Sequence, residues 1–517
     1  MSSNQPILTV LAERLRGPLH NLLAPTRPIF LRSAPARVDV LGGLASETGG
    51  TLAQMALPQR AAVAVQLRDD GLLVIHSDAI FPPVGEPEFR MPLRDFFHGT
   101  RLAPVKEVAA RFTGSAGWAA PLGALLHLLE QSPLRAAPAA PPQTTAASAA
   151  RAARAAPSSA GNRPSAASLP GLTLIIHSQI PMGAAQASST AVTTAALAAL
   201  ADAFDLDLDP LDAALTIHRA ENLFHPTSAH VVDALTCLHA LDSPPRLLRY
   251  SAQPHQLIGQ IALPKELRIL ALDTGVRYTA AAATVESLRL AGAMGLRIIE
   301  TIYRDLGQRH TPLHDYLANL SPSLYRQYFR ALLPRRMRGQ DFIRTFGPLP
   351  ERSGIIDPAR MYRVRTAVDH LVTEHNHAEN FLQAIEELSD PVMRKNLTPR
   401  ERELTRRRAG RLLLASQHSY RLRLELSCRE ADWLVDSLMD RAGPDQGVYG
   451  ARISACGGGG TLIVLMNRSP AATDALLTTL SAYNQLTGLH LIISEAGTSP
   501  SAGTLHAPPM QLEISQE

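Results

Sequence analysis

Apolar positions recur through Ile29–Leu41 in an extended, alternating stretch that predicts a β-strand. Residues 61–67 and 72–76 carry the same kind of pattern, and Asp70-Gly71 between them is a hairpin signal, so the two are expected to pair. A short apolar run at 172–177 reads as a strand, and the Ala-rich stretch Ser188–Phe204 as a long helix of high intrinsic propensity. Between them, Ser178 to Ala187 reads as a turn that delivers the chain into the helix N-terminus. Leu267–Asp273 predicts a buried strand and the periodic stretch 286–306 a helix. Ser427 with Glu430 predicts a capping box for a helix running to Met439. Near the end come a strand at 449–455, the tetraglycine Gly457 to Gly460, a strand at 461–466, a helix at 471–483 and a strand at 489–494. Strands alternating with helices at mostly local spacing predict α+β layers. No internal repeat is evident.

One stretch departs from this pattern. Residues 133–168 are Pro, Ala, Ser, Arg and Gln almost throughout, with Leu134 as the one large aliphatic side chain. Such a segment cannot bury enough apolar surface to offset its ordering entropy, and it is expected to be a disordered insertion. The 517 residues suffice for two or three domains, more than a single core normally fills. The expected division is an N-terminal lobe over 1–260, interrupted by the insertion, and a C-terminal lobe over 261–517. A formal charge of +4, with Arg and Lys interleaved with Glu and Asp, gives no nucleic-acid footprint. Cys237, Cys428 and Cys456 lie far apart without CxxC spacing, which fits a reducing compartment. No apolar run is long enough for a membrane span and no secretory signal opens the chain, so a soluble cytoplasmic protein is expected.

Several groups of residues could carry chemistry. Ser188-Ser189-Thr190 opens a helix directly after a turn of small residues, an arrangement that presents backbone N–H groups and the helix dipole to an anion. Hydroxyls at that first turn can also ligate a magnesium ion bound to phosphates. Taken alone, Ser188 capping an ordinary core helix fits equally well. Glu221 and Asp233 supply two carboxylates, one able to hold a metal and the other to accept a hydroxyl proton; alone they also read as solvated surface. Arg37 interrupts an extended run, either as a surface residue or as a phosphate clamp. The tetraglycine lacks the strand–GxGxxG–helix context of a dinucleotide site and reads as close backbone approach or a plain turn. His218, His225, His230 and His239 cluster in sequence and His375 and His377 form an HxH, but none has zinc spacing.

In combination, these pieces resemble the GHMP kinases, most closely the galactokinase and plant-type L-arabinokinase families. The stretch Ser33-Ala-Pro-Ala-Arg-Val-Asp-Val-Leu-Gly-Gly-Leu-Ala-Ser-Glu-Thr-Gly-Gly50 is similar to the first family motif, with an arabinokinase-like Gly42-Gly43 step. Ile180-Pro-Met-Gly-Ala-Ala-Gln-Ala-Ser-Ser-Thr-Ala191 resembles the second and Gly450-Ala-Arg-Ile-Ser-Ala-Cys-Gly-Gly-Gly-Gly-Thr461 the third. The blocks starting at Leu272 and Gln417 also look like the family, so the resemblance spans roughly 30–500 without the insertion. It implies a two-lobed α+β fold, a ribosomal-protein-like N-terminal lobe and a ferredoxin-like C-terminal lobe, with ATP and an acceptor in the cleft. Asp233 falls on the catalytic aspartate and Arg37 on the arginine of the transfer site. Ser189 and Glu221 fall on the Mg2+ ligands. The resemblance places ATP on Gly183, Ala184, Ala185, Ala187, Ser188 and Ser189, and a sugar-like acceptor beside Ser46, Glu47, His230, Val285, Gly457 and Gly458.

The departures lie mostly on the acceptor side. Ser46 replaces an aspartate that binds sugar hydroxyls, Ala229-His230 replaces Cys-Gly, Ala234 replaces a Gln, and Val285 replaces a tyrosine. Ala184, Ala185 and Ala187 stand in or beside positions where the family often has glycine; at positive φ an alanine costs about 1–2 kcal/mol, which would favour a reshaped loop. A retained catalytic set beside an altered acceptor set points to a kinase for a sugar or sugar-like small molecule, acting at the anomeric hydroxyl. A regulatory member that binds nucleotide or sugar without turnover is the second reading, and a non-sugar acceptor the third.

Overall fold

The computed structural model describes residues 7–81, 84–131, 171–224, 229–239, 245–253, 255–277, 282–308, 311–350, 353–497 and 510–512. The Ala/Pro-rich stretch at 133–168 and His225 lie outside the described residues, as does the side chain of Glu47. The principal strands are β1 (Ile29–Leu41), β2 (Thr51–Arg68), β3 (Leu72–Ser77), β4 (Glu88–Pro92), β5 (Gly171–Ser178), β6 (Arg246–Ala252), β7 (His255–Ala262), β8 (Leu267–Asp273), β9 (Val448–Ile453), β10 (Thr461–Asn467), β11 (Ile492–Glu495) and β12 (Met510–Leu512). The principal helices are α1 (Ile7–Arg16), α2 (Ala120–Gln131), α3 (Ser188–Phe204), α4 (Pro210–Leu223), α5 (Val231–His239), α6 (Ala282–Asp305), α7 (Val364–Ser389), α8 (Pro399–His418), α9 (Arg429–Arg441) and α10 (Pro470–Thr487).

The first sheet has the spatial order β12-β1-β2-β5-β3-β4, with β6 and then β7 added along the first residues of β2. The two-residue period of the strands sorts side chains between its faces. Ile29, Leu31, Ala62, Ala64 and Ile175 meet α1, whereas Ala34, Ala36, Val63, Val65, Leu174 and Ile176 join the larger core with α3. The second sheet is antiparallel throughout, in the order β9-β10-β8-β11. With α6 following β8 and α10 following β10, that order is the ferredoxin-like one. Its strands face two ways as well: Ile269, Ala271, Ile463 and Leu465 join the first core, and Leu270, Leu272, Leu462 and Val464 face α6, α9 and α10. The lobes therefore share a continuous apolar core.

The helix over 188–204 and the strand over 267–273 form with the predicted bounds. Three local expectations fail. The Asp70-Gly71 hairpin does not form, because β5 lies between β2 and β3, antiparallel to one and parallel to the other. Gly171 enters that slot where a Cβ would lie 2.7 Å from the Leu72 carbonyl oxygen. The Ser427–Glu430 capping box is also absent: Cys428 precedes α9 without a side-chain cap, and Ser427 Oγ donates instead to Asp432 (2.7 Å). Finally, β12 pairs with β1, so a strand from the C-terminal half completes the first sheet and a division at residue 260 does not follow the sheets. Among the described residues no helix is long and apolar enough to cross a membrane.

Candidate active site

Backbone geometry creates the site where the two lobes meet. The pairing of β1 with β2 slips between Pro35 and Arg37, and at this irregularity the Arg37 N–H donates to Gln186 O (3.1 Å) rather than to β2. The β5–α3 turn is thereby tied to β1. Within the turn Gly183 (φ 70°), Ala185 (φ 60°) and Ala187 (φ 57°) are all left-handed. The alanines thus accept the strained conformation instead of reshaping the loop. The second lobe clamps the turn from the other side: Thr461 Oγ1 donates to Ala184 O (2.7 Å) and Gln186 Nε2 donates to Thr461 Oγ1 (3.0 Å). All four glycines of the tetraglycine have positive φ, and a Cβ on Gly460 would lie 2.6 Å from Ala184 O. Here the glycines serve close backbone approach.

The helix α3 begins after left-handed Ala187 with no side chain capping it, so its first N–H groups face the cavity and Ser188 is not a cap. Glu221, on the last turn of α4, lies against that helix start, accepting from Thr190 Oγ1 (2.8 Å) and from the Ser189 hydroxyl. Burial pushes its carboxyl up to about 7, against the pull of both hydroxyls. On α5, Asp233 is buried and paired bidentately with Arg37, Nε to Oδ1 (2.7 Å) and Nη2 to Oδ2 (2.7 Å). Gln54 Nε2 adds a third bond to Oδ1 (2.8 Å) and is itself held by Thr236 Oγ1 (2.6 Å). Burial opposes ionisation of Asp233, but Arg37, followed by His230 and Gln54, holds it below the ordinary carboxylate range. The remaining Arg37 donor, Nη1, reaches Ala185 O (3.1 Å).

One cavity of about 240 Å³ therefore gathers Arg37, Gly183, Ala185, Ala187, Ser188, Ser189, Glu221, His230, Asp233 and Gly457. Ala184 is buried behind its wall with its carbonyl engaged, and Ser46 lies behind it too, donating to Gly43 O (3.1 Å) and 3.3 Å from His230 Nδ1. Gly458 braces the turn through its N–H to Leu426 O (2.6 Å). Val285 is not brought to the site. Its place on α6 draws this apolar side chain into the second core, so it does not line the cavity.

Sequence reasoning missed Gln54, Asp39 and Arg452. Asp39 lines the cavity with Oδ1 lacking a hydrogen-bond partner among the described residues, and burial raises its carboxyl to about 6 despite Arg452 and Arg37. Arg452 is fully buried between Asp39 and Glu374, 3.9 Å from each, and donates to the carbonyls of Asp39 (3.3 Å) and Val40 (3.0 Å). It bolts β9 of the second lobe to β1 of the first. Each of these polar residues interrupts an apolar strand sequence, which was the available signal.

Residues 146–240 match the GHMP kinases N terminal domain. An L-arabinokinase of Arabidopsis thaliana is 26% identical over 92% of this chain, which spans only 46% of that protein's length. A galactokinase of Streptomyces coelicolor is 25% identical, with 86% of each protein covered. The crystal structure of Lactococcus lactis galactokinase complexed with galactose superposes with a TM-score of 0.63 at 15% identity, covering 98% of this chain and 100% of that one. Residues 146–240 thus match a GHMP kinase N-terminal domain, and the chain has the GHMP kinase fold and resembles the galactokinases and L-arabinokinases.

Proposed function

We propose that the protein is a sugar kinase that transfers the γ-phosphoryl group of ATP to a hydroxyl of a sugar or sugar-like molecule, at the anomeric position. The observation that carries this reading is the convergence of Arg37, Asp233, Glu221 and the uncapped start of α3 on one cavity. The triphosphate would lie on the 183–189 turn, where backbone N–H groups and the helix dipole favour anions. Oxygen donors of this kind suit a magnesium ion, and among the described residues no cluster of three or more His, Cys, Asp or Glu offers a complete metal cage. Ser189 and Glu221 would hold the ion, phosphates and water supplying the other ligands. When bound, it neutralises charge on the β- and γ-phosphates.

Asp233 then faces the acceptor. Held low by Arg37, it is a weak base, so it orients the hydroxyl and receives its proton only as the new O–P bond forms. The bond from the γ-phosphorus to the β–γ bridging oxygen breaks and ADP leaves. Arg37 offers positive charge to the group in transit. The acceptor would lie against His230, Asp39 and Cys456, so the carboxyl on this wall comes from Asp39 while Ser46 stands where the resemblance implies an aspartate. A coupled ADP-release assay across free sugars and uronic acids, with Asp233→Asn as control, tests the reading. Turnover lost in the variant supports it; nucleotide binding without turnover on any acceptor favours the regulatory reading instead.

A further inference from the structure

A second cavity, of about 480 Å³, opens on the second lobe and is lined by five arginines against two carboxylates. Two of the arginines are neutralised: Arg330 is bidentate to Asp369 (2.7 and 3.0 Å) and Arg363 pairs with Glu425 (3.0 Å). Arg365 donates to the carbonyls of Leu333 (2.9 Å) and Ala331 (3.2 Å), which orders the 331–336 loop and leaves its charge unopposed. Arg335 and Arg336 are exposed and enter no ion pair among the described residues. The cavity wall thus carries a net charge of +3, on side chains that stay protonated at any physiological pH.

The fold uses Arg330, Arg363 and Arg365, but no ion pair among the described residues uses Arg335 or Arg336. Like charges this close repel, and holding them in one concave site is unfavourable unless an anion joins them. Guanidinium forks match phosphate and carboxylate oxygens bidentately, so the preferred occupant has several anionic oxygens in a small volume. The site is separate from the turn at 183–189, since its wall comes from the 330–336 loop, the start of α7 and Glu425. It nonetheless adjoins the active-site architecture: Glu425 is followed by Leu426, whose carbonyl accepts from Gly458 N–H of the tetraglycine (2.6 Å).

We propose that this arginine cavity binds a small polyanion carrying at least two phosphoryl or carboxyl groups. Titration calorimetry of inorganic pyrophosphate into the full chain, in chelator-containing buffer without nucleotide, tests it independently of any kinase activity. Saturable binding should weaken about tenfold in Arg335→Ala/Arg336→Ala. Citrate in a parallel titration separates carboxylate from phosphate preference, and orthophosphate should bind more weakly than either. Both substituted side chains are exposed, so the thermal melt should not move; if it does, Arg336→Gln alone must weaken binding in the same direction. An isotherm shared by wild type and variant, or no binding heat from either polyanion, overturns the proposal.

Discussion

Arg37 grips both carboxylate oxygens of Asp233 at 2.7 Å across 196 positions of sequence. The pair is buried, and it joins a strand irregularity in one part of the chain to the first turn of a helix in another. It also sets the chemistry proposed for Asp233. A carboxylate clamped this way holds little proton affinity in the ground state, so its contribution is orientation first and proton acceptance late.

Asp233→Asn keeps the shape and removes the charge. In the assay described above, kcat should fall about 10²- to 10⁴-fold, with ADP affinity little changed. Asp233→Ala is a different experiment, because it strands a buried guanidinium. Urea melts should show a loss of about 3–5 kcal/mol, and a smaller loss for the Asn variant, which also lacks the counter-charge but keeps one oxygen to accept from the guanidinium.

Glu221 makes folding stability pH-dependent in an unusual direction. Its carboxyl titrates near 7 in the native state against an ordinary 4.5, because burial penalises the anion. Between those values the native state keeps a proton that the unfolded chain has released. Its stabilising contribution is therefore full below the lower value and is lost as pH rises through the higher one, by at most about 3 kcal/mol. Urea melts from pH 5 to 8 should decline for wild type and flatten for Glu221→Gln. Magnesium affinity should rise over the same window, since only the anion can serve as a ligand.

Gly460→Ala would push a methyl group to 2.6 Å from Ala184 O, at a φ of +83°. The turn at 183–187 must then move away from β10. Strain alone costs about 1–2 kcal/mol, and the KM for ATP should rise more than the KM for the acceptor.

Ala187→Gly tests the opposite case. Its φ of 57° is strained for alanine, so glycine relieves about 1 kcal/mol while adding chain entropy in the unfolded state. The two effects should cancel to within about 0.5 kcal/mol in a urea melt. Ala198→Gly, buried in the middle of α3, should cost about 1 kcal/mol or more.

Arg37, Glu221, Asp233 and the α3 start were legible because the family resemblance carries them over residue by residue. Their hydrogen bonds were not. Gln54 reaches Asp233, and Thr236 in turn holds Gln54, only through the tertiary packing of β2 on α5, which leaves no local signature. The hairpin expected at Asp70-Gly71 failed for a related reason: a turn signal reports the local chain and cannot show that a distant strand takes the place alongside. Val285 misled because alignment to a motif position says nothing about which way a helix faces. The helices α7 and α8 build much of the second lobe, and the Thr398–Glu401 capping box that starts α8 is a signal the sequence does carry.

The slot that β5 fills has a consequence for how the molecule is made. Until residue 171 emerges, β3 has only β4 beside it, and its other edge is free to zip onto β2 through the ready-made turn at Asp70-Gly71. That local pairing forms in microseconds, whereas closing the native loop to β5 is slow because its entropy must be met before the contacts reward it. A β2–β3 ribbon formed first would have to open before β5 could enter, and refolding is then expected to show a second slow phase that substitutions spoiling the Asp70-Gly71 turn shorten.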